Sequence, residues 1–145
     1  MMARPRLVLA DDHAGTAALL RGVLEPEFEV VAQARCGIGL VRAAEQWSPD
    51  AIVSDISMPG LDGIAAAEVI LRTTPDARIV LVTMHSDQSL VTRALEVGVL
   101  GYVLKHEAGD DLLPAIHAAL RGERYVSPSV LDAEYTMRSS CARSA

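Results

Sequence analysis

The sequence predicts an α/β fold, a parallel five-stranded sheet with helices on both faces. Three observations carry this reading. Five short β-prone apolar runs alternate with longer stretches of helical periodicity. The runs are nearly continuous in apolar character, as strands covered on both faces should be. Four of them end in polar residues, where the carboxyl edge of such a sheet would hold a ligand: Asp11 and Asp12, Asp55, Thr83 and Lys105.

Each element has its own reason. Residues 7–10 form the first strand. A helix follows over about 14–24, with Leu19, Leu20, Val23 and Leu24 on one stripe, and Glu25 before Pro26 ends it. Residues 30–34 form the second strand. The second helix spans about 39–47 and stops before Ser48 and Pro49. Residues 51–54 form the third strand. The third helix starts near Asp62, an N-cap residue, shows Ala65, Ala66, Val69 and Ile70 on its apolar face, and ends before Pro75. Residues 79–82 form the fourth strand. The fourth helix runs from near Ser86 to Gly98, a residue suited to a left-handed C-cap. Residues 101–104 form the fifth strand. The last helix spans about 110–122, with Leu112, Leu113, Ile116 and Leu120 inward and Pro114 in its first turn. Right-handed β–α–β crossovers make the sheet parallel. Residues 4–122 are expected to form one domain, and 123–145 a linker or tail with at most a short helix.

Composition bounds the function. With 145 residues, half of them apolar, the chain is long enough for one packed core. Its net charge of −6 repels phosphate backbones, and only 3% of its residues are aromatic, so a nucleic-acid surface is not expected within it. Cys36 and Cys141 lack metal or disulfide spacing and read as free thiols. No apolar run suits a signal peptide or a membrane span, and a cytoplasmic protein is expected.

Lys105 is the only lysine among thirteen basic residues. It offers a compact charge on a flexible stem rather than the planar fork of arginine. Three carboxylates, a hydroxyl and one ammonium at strand ends suggest a metal-assisted phosphoryl site. Magnesium takes oxygen ligands, one or two of them carboxylates, beside phosphate oxygens. Asp55 can attack phosphorus as a carboxylate nucleophile once a cation neutralises the approach of two anions. Plainer roles compete: Asp12 as a helix cap, Thr83 as a cap of the fourth helix, and Lys105 as a solvated loop residue. Pro59 and Gly60 turn the chain beneath the site, and Met58 is expected to pack.

The segments LVLADDH, IVSDISMPGLDG, IVLVT and GYVLK, in this order and spacing, resemble the receiver domain of bacterial two-component response regulators. The resemblance spans roughly residues 6–122. It implies a flavodoxin-like strand order of 2-1-3-4-5, the order known for a chemotaxis member of this family. It implies that Asp55 accepts a phosphoryl group from a histidine kinase. Asp11, Asp12, Asp55 and the backbone carbonyl of Ser57 would hold Mg²⁺. Thr83 and Lys105 would bind phosphoryl oxygens. Tyr102 would be an aromatic switch that turns inward, although a surface aromatic is the plainer alternative. Ser57 and His85 stand where the family tunes dephosphorylation. No turnover chemistry is implied beyond Mg²⁺-dependent self-phosphorylation and self-dephosphorylation.

The DDH opening and the segment LLPAIHAALRGERYVSPSV resemble the LuxR/FixJ (NarL-like) branch. In that branch a linker leads to a helix-turn-helix domain, so DNA contact would come only through a domain absent from these residues. A stand-alone regulator acting on protein partners and a non-phosphorylated pseudo-receiver are the alternatives. An aspartate-nucleophile phosphatase would carry a DxDx[TV] opening, and a flavin binder a phosphate-cradling loop; ADDHAGTAAL has neither. A weak, phosphorylation-dependent homodimer is expected, with Leu90, Val91 and Ile116 as core or interface residues.

Overall fold

The structure is a computed structural model that describes residues 4–84 and 87–130. Six strands lie in one parallel sheet: β1 Arg6–Ala10, β2 Glu29–Ala34, β3 Ala51–Asp55, β4 Ile79–Thr83, β5 Gly101–Leu104 and β6 Tyr125–Val126. Their order is β2-β1-β3-β4-β5-β6. The expected 2-1-3-4-5 order is present, and a sixth strand extends it. That strand lies past Gly122, so the sheet continues into a segment whose sequence suggests a linker. Two residues are too few to show periodicity, and the surrounding polar residues mask them.

Five α-helices connect the strands: α1 Ala14–Leu24, α2 Gly37–Trp47, α3 Gly63–Thr73, α4 Gln88–Val97 and α5 Ala108–Leu120. Asp62 caps α3 by accepting a hydrogen bond from Ala65 N at 2.8 Å. Gly98 ends α4 at φ 112°, the left-handed cap its position suggests. Cys36 Sγ caps α2, accepting from Gly39 N at 3.3 Å. Cys141 lies outside the described residues.

Two details of the helices differ from expectation. A 3₁₀ turn over Lys105–Glu107 feeds α5, which therefore begins at Ala108. Pro114 consequently lies inside the helix rather than in its first turn, where it removes one donor of the hydrogen-bond ladder. Leu19 is 74% exposed, while Leu20 and Leu24 are buried. The inward stripe of α1 is Ala17, Leu20 and Leu24, a spacing of three and four residues that Leu19 does not share.

Alternation along the strands divides the core in two. Leu7, Leu9, Val53, Val80 and Val103 face α1 and α5. Val8, Ala10, Ile52, Leu81, Tyr102 and Leu104 face α2, α3 and α4. The central strands β3, β4 and β5 are buried throughout. β2 is not: it is an edge strand, largely half-exposed, so its apolar run is covered incompletely. Val91 and Ile116 are core residues, and Leu90 packs against the core from a half-buried position. Among the described residues, no helix is long and apolar enough to cross a membrane.

Candidate functional site: an acidic pocket at the carboxyl edge

Parallel strands bring their carboxyl ends to one edge. β1 lies between β2 and β3, so the crossovers leaving β1 and β3 diverge there and open a crevice. Asp11 follows β1, Asp55 ends β3, Thr83 ends β4 and Lys105 follows β5. Asp11, Asp55 and Thr83 are buried.

Lys105 Nζ lies 3.0 Å from Asp55 Oδ2 and 3.1 Å from Asp11 Oδ2. Its side chain is only 9% exposed, so it is not a solvated loop residue. Burial works to lower its pKa, but the hydrogen bond to Asp55 and the negative charges of Asp55 and Asp11 outweigh burial, and the net direction is up. The ammonium is therefore held charged between two buried carboxylates.

Asp11 Oδ1 accepts from His13 N at 2.9 Å, which fastens the turn between β1 and α1. The N-cap of α1 is His13, with no side-chain cap, so Asp12 is released from the capping role. Asp12 Oδ1 is buried with no aligned hydrogen-bond partner, although His13 Nδ1 lies 3.0 Å away. Asp11 Oδ2 is likewise without an aligned partner. Ion-pair proximity and hydrogen-bond alignment are separate conditions, and these two oxygens meet only the first. Asp11, Asp12, His13 and Asp55 each offer one ligand atom, all within 4.8 Å of one another. Buried carboxylate oxygens lacking aligned donors suit a hard cation such as Mg²⁺. His13, whose side chain is 70% exposed, joins this cluster from its rim. Its adjacency to the acidic pair is the only signal for it in the sequence.

The loop after β3 positions Asp55. Ser57 N makes a long hydrogen bond, 3.4 Å, to Asp55 Oδ1. Ser57 is exposed and Met58 is buried. Gly60 takes φ 73°, a left-handed turn residue. Gly63 is required for a different reason: a Cβ there would fall on the Asp55 carbonyl oxygen. The chain thus turns back tightly under the site, and Gly63 N closes it by donating to Ile56 O at 2.8 Å.

Tyr102 is fully buried, which excludes a surface role. It pairs in register with Leu81, two residues before Thr83, so it shares Thr83's face of the sheet. Its pKa is pushed up to about 12 by burial and then by the Asp87 carboxylate, with a hydrogen bond to Thr83 working the other way. Thr83 is thus tied to Tyr102 and does not cap α4. That cap is Asp87, whose Oδ1 accepts from Ser89 N at 2.8 Å. His85 and Ser86 lie outside the described residues, and so does the reading of His85 as a tuning position.

Residues 7–117 match the family model described as the response regulator receiver domain. The chain belongs to this receiver family. It is 36% identical to the transcriptional regulatory protein DegU of Brevibacillus brevis over 129 residues, covering 86% of this chain and 54% of that one. It is 32% identical to the response regulator UvrY of Escherichia coli, covering 86% of this chain and 58% of the relative. This receiver therefore spans little more than half the length of those curated relatives. A solved LuxR-family two-component response regulator from Aurantimonas sp. SI85-9A1 superposes with a TM-score of 0.89 at 33% identity, covering 94% of this chain and 99% of that one. The isolated receiver domain of RcsB from Salmonella enterica, solved with a beryllofluoride phosphomimetic, superposes at 0.81 with 27% identity, covering 90% and 98%. The chain is a receiver domain of the LuxR-family, NarL/FixJ-like kind.

Proposed function

We infer that Asp55 is the phosphoacceptor of this receiver and that its phosphorylation by a sensor histidine kinase is the signal. The observation that carries the reading is Lys105 Nζ bridging Asp55 and Asp11 at 3.0 and 3.1 Å inside a buried acidic pocket. A carboxylate oxygen of Asp55 attacks phosphorus, an oxygen–phosphorus bond forms, and the phosphorus–nitrogen bond to the kinase histidine breaks. The product is an aspartyl phosphate. Lys105 offsets charge on the transferring group, and the Thr83 hydroxyl can donate to a phosphoryl oxygen.

Asp11, Asp12, Asp55 and the Ser57 carbonyl would hold Mg²⁺. The ion would supply charge neutralisation between the phosphoryl oxygens and the carboxylates. Thr83 and Tyr102 form the switch. Their hydrogen bond links a group at the phosphoryl site to a buried ring against α4, a contact able to move between two discrete packings.

Output follows from a domain outside residues 4–122, with 123–145 leading toward it. The length of the curated relatives supports this, as does a solved RcsB–DNA complex at 27% identity. The acidic charge of this chain leaves DNA contact to such a domain. A weak, phosphorylation-dependent homodimer and a cytoplasmic location complete the reading. Ser57, exposed beside Asp55, sets the access of water to the acyl phosphate.

Incubation with Mg²⁺ and acetyl phosphate tests the function. An acid-stable, base-labile mass increase should form on the wild type, vanish in Asp55→Asn and weaken in Asp12→Ala. A persistent adduct in Asp55→Asn, or metal-independent labelling, would refute it.

A further inference from the structure

Beyond α5 the chain does not simply leave the domain. Gly122 turns it at φ 75°, and β6 pairs parallel to β5 with Tyr125 opposite Gly101 and Val126 opposite Tyr102. Tyr125 N donates to Leu100 O at 2.8 Å, and Ser127 N donates to Tyr102 O at 2.9 Å. A longer strand would next offer a backbone carbonyl to Leu104 N. Instead the backbone is helical from Pro128, the Ser127 carbonyl accepts from Val130 N at 2.9 Å, and Ser127 Oγ accepts from Leu104 N at 3.2 Å. Ser127 is fully buried, so this hydroxyl is a structural acceptor and not a surface one.

The position matters because Leu104 is the residue before Lys105. Leu104 pairs in register with Thr83 on its other side. Leu104 is thus held between Thr83, its register partner on β4, and the Ser127 hydroxyl just past β6, and Lys105 leaves the sheet directly after it. The segment is tied down elsewhere too. Tyr125 OH donates to Asp111 Oδ1 at 2.9 Å, the Ser129 hydroxyl donates to Glu107, and Val130 is buried in the cluster that holds Tyr102 and Leu104.

We propose that Ser127 is a positioning residue for the phosphoryl site, acting through Leu104 and Lys105, and that β6 carries the state of that site into the chain beyond α5. The proposal rests on the receiver reading. When Thr83 and Lys105 draw toward a phosphoryl group, the strand end between them shifts. Its hydrogen bonds then shift Ser127 and the residues that follow. Without β6 the edge of β5 would present unpaired backbone groups to solvent and transmit nothing.

Ser127→Thr and Ser127→Val test this, since they differ by a hydroxyl against a methyl. Beryllofluoride affinity in saturating Mg²⁺ and Mg²⁺ affinity alone are measured by calorimetric titration. Ser127→Val should bind beryllofluoride about five- to tenfold more weakly than Ser127→Thr, the scale of one buried hydrogen bond, with Mg²⁺ affinity unchanged. Equal beryllofluoride affinities, or Mg²⁺ affinity falling in step, would overturn the proposal, the latter marking a merely structural role. A second measurement needs no variant. In the wild type, beryllofluoride should change hydrogen exchange at the Tyr125 and Ser127 amides together with those of β5. A response confined to β4 and β5 overturns the coupling. A wild type that binds no beryllofluoride overturns the receiver reading itself, and this proposal with it.

Discussion

Replacing Lys105 by methionine keeps the bulk of the side chain and removes its charge. In the folded protein the ammonium lies about 3 Å from two carboxylates whose side chains are at most 5% exposed. At an effective dielectric of about 20, each pair attracts by about 5 kcal/mol before desolvation is counted. The net loss is smaller, because the pair also lost hydration on folding. Stripping one partner from a buried ion pair costs about 3–5 kcal/mol, since the remaining charge is stranded. Lys105→Met should therefore lose about 3 kcal/mol of unfolding free energy at neutral pH without metal. Mg²⁺ should shrink that deficit to about 1 kcal/mol, because the variant, lacking the competing ammonium between Asp11 and Asp55, binds the cation more tightly than the wild type and gains more stability by mass action. Urea denaturation with and without Mg²⁺ reads both numbers. Two outcomes would refute this reasoning: a variant as stable as the wild type without metal, or a deficit that saturating Mg²⁺ leaves untouched.

Alkaline titration should reach Tyr102 late. Its folded pKa of about 12 exceeds the unfolded value of 10, so the stability linked to its protonation is present below pH 10 and is lost between pH 10 and about 12. Ultraviolet absorbance should show one phenol ionising only toward pH 12, and ionisation of every tyrosine near pH 10 in the folded chain would contradict this. Gly63→Ala should destabilise by about 2–4 kcal/mol, because its Cβ meets backbone rather than a movable side chain; a thermal melt within a degree of wild type would count against the packing described. Ser48→Gly should stabilise by about 0.5–1 kcal/mol, since Ser48 holds φ 41° at the end of α2. That corresponds to a rise of about 2–4 °C in Tm, and a fall would show that the serine side chain matters more than the strain.

The pattern of apolar runs and breaks is enough to place the strands and helices to within a few residues, because strand burial and helix amphipathy leave local periods in the chain. Asp62 and Gly98 are legible as caps for the same reason: their chemistry is local. Leu19 departs from expectation because it falls beside the stripe, and one residue rotates a helical side chain by about 100°. The start of α5 departs as well, since a 3₁₀ turn carries no separate hydrophobic period. His13, at the rim of the acidic cluster, carries only its adjacency to Asp12.

By itself the sequence determined the class of fold, the polar residues at strand ends and the motif set of a receiver. All of these depend on neighbours within a few positions or on the order of segments. Tertiary structure alone decided that Lys105 lies between Asp11 and Asp55, that Tyr102 is buried beside Thr83, and that the chain after α5 returns as a sixth strand. Those facts depend on distances between residues far apart in the chain, such as Asp11 and Lys105. Burial then sets their strength, because charges and hydroxyls removed from water interact far more strongly than the same groups exposed.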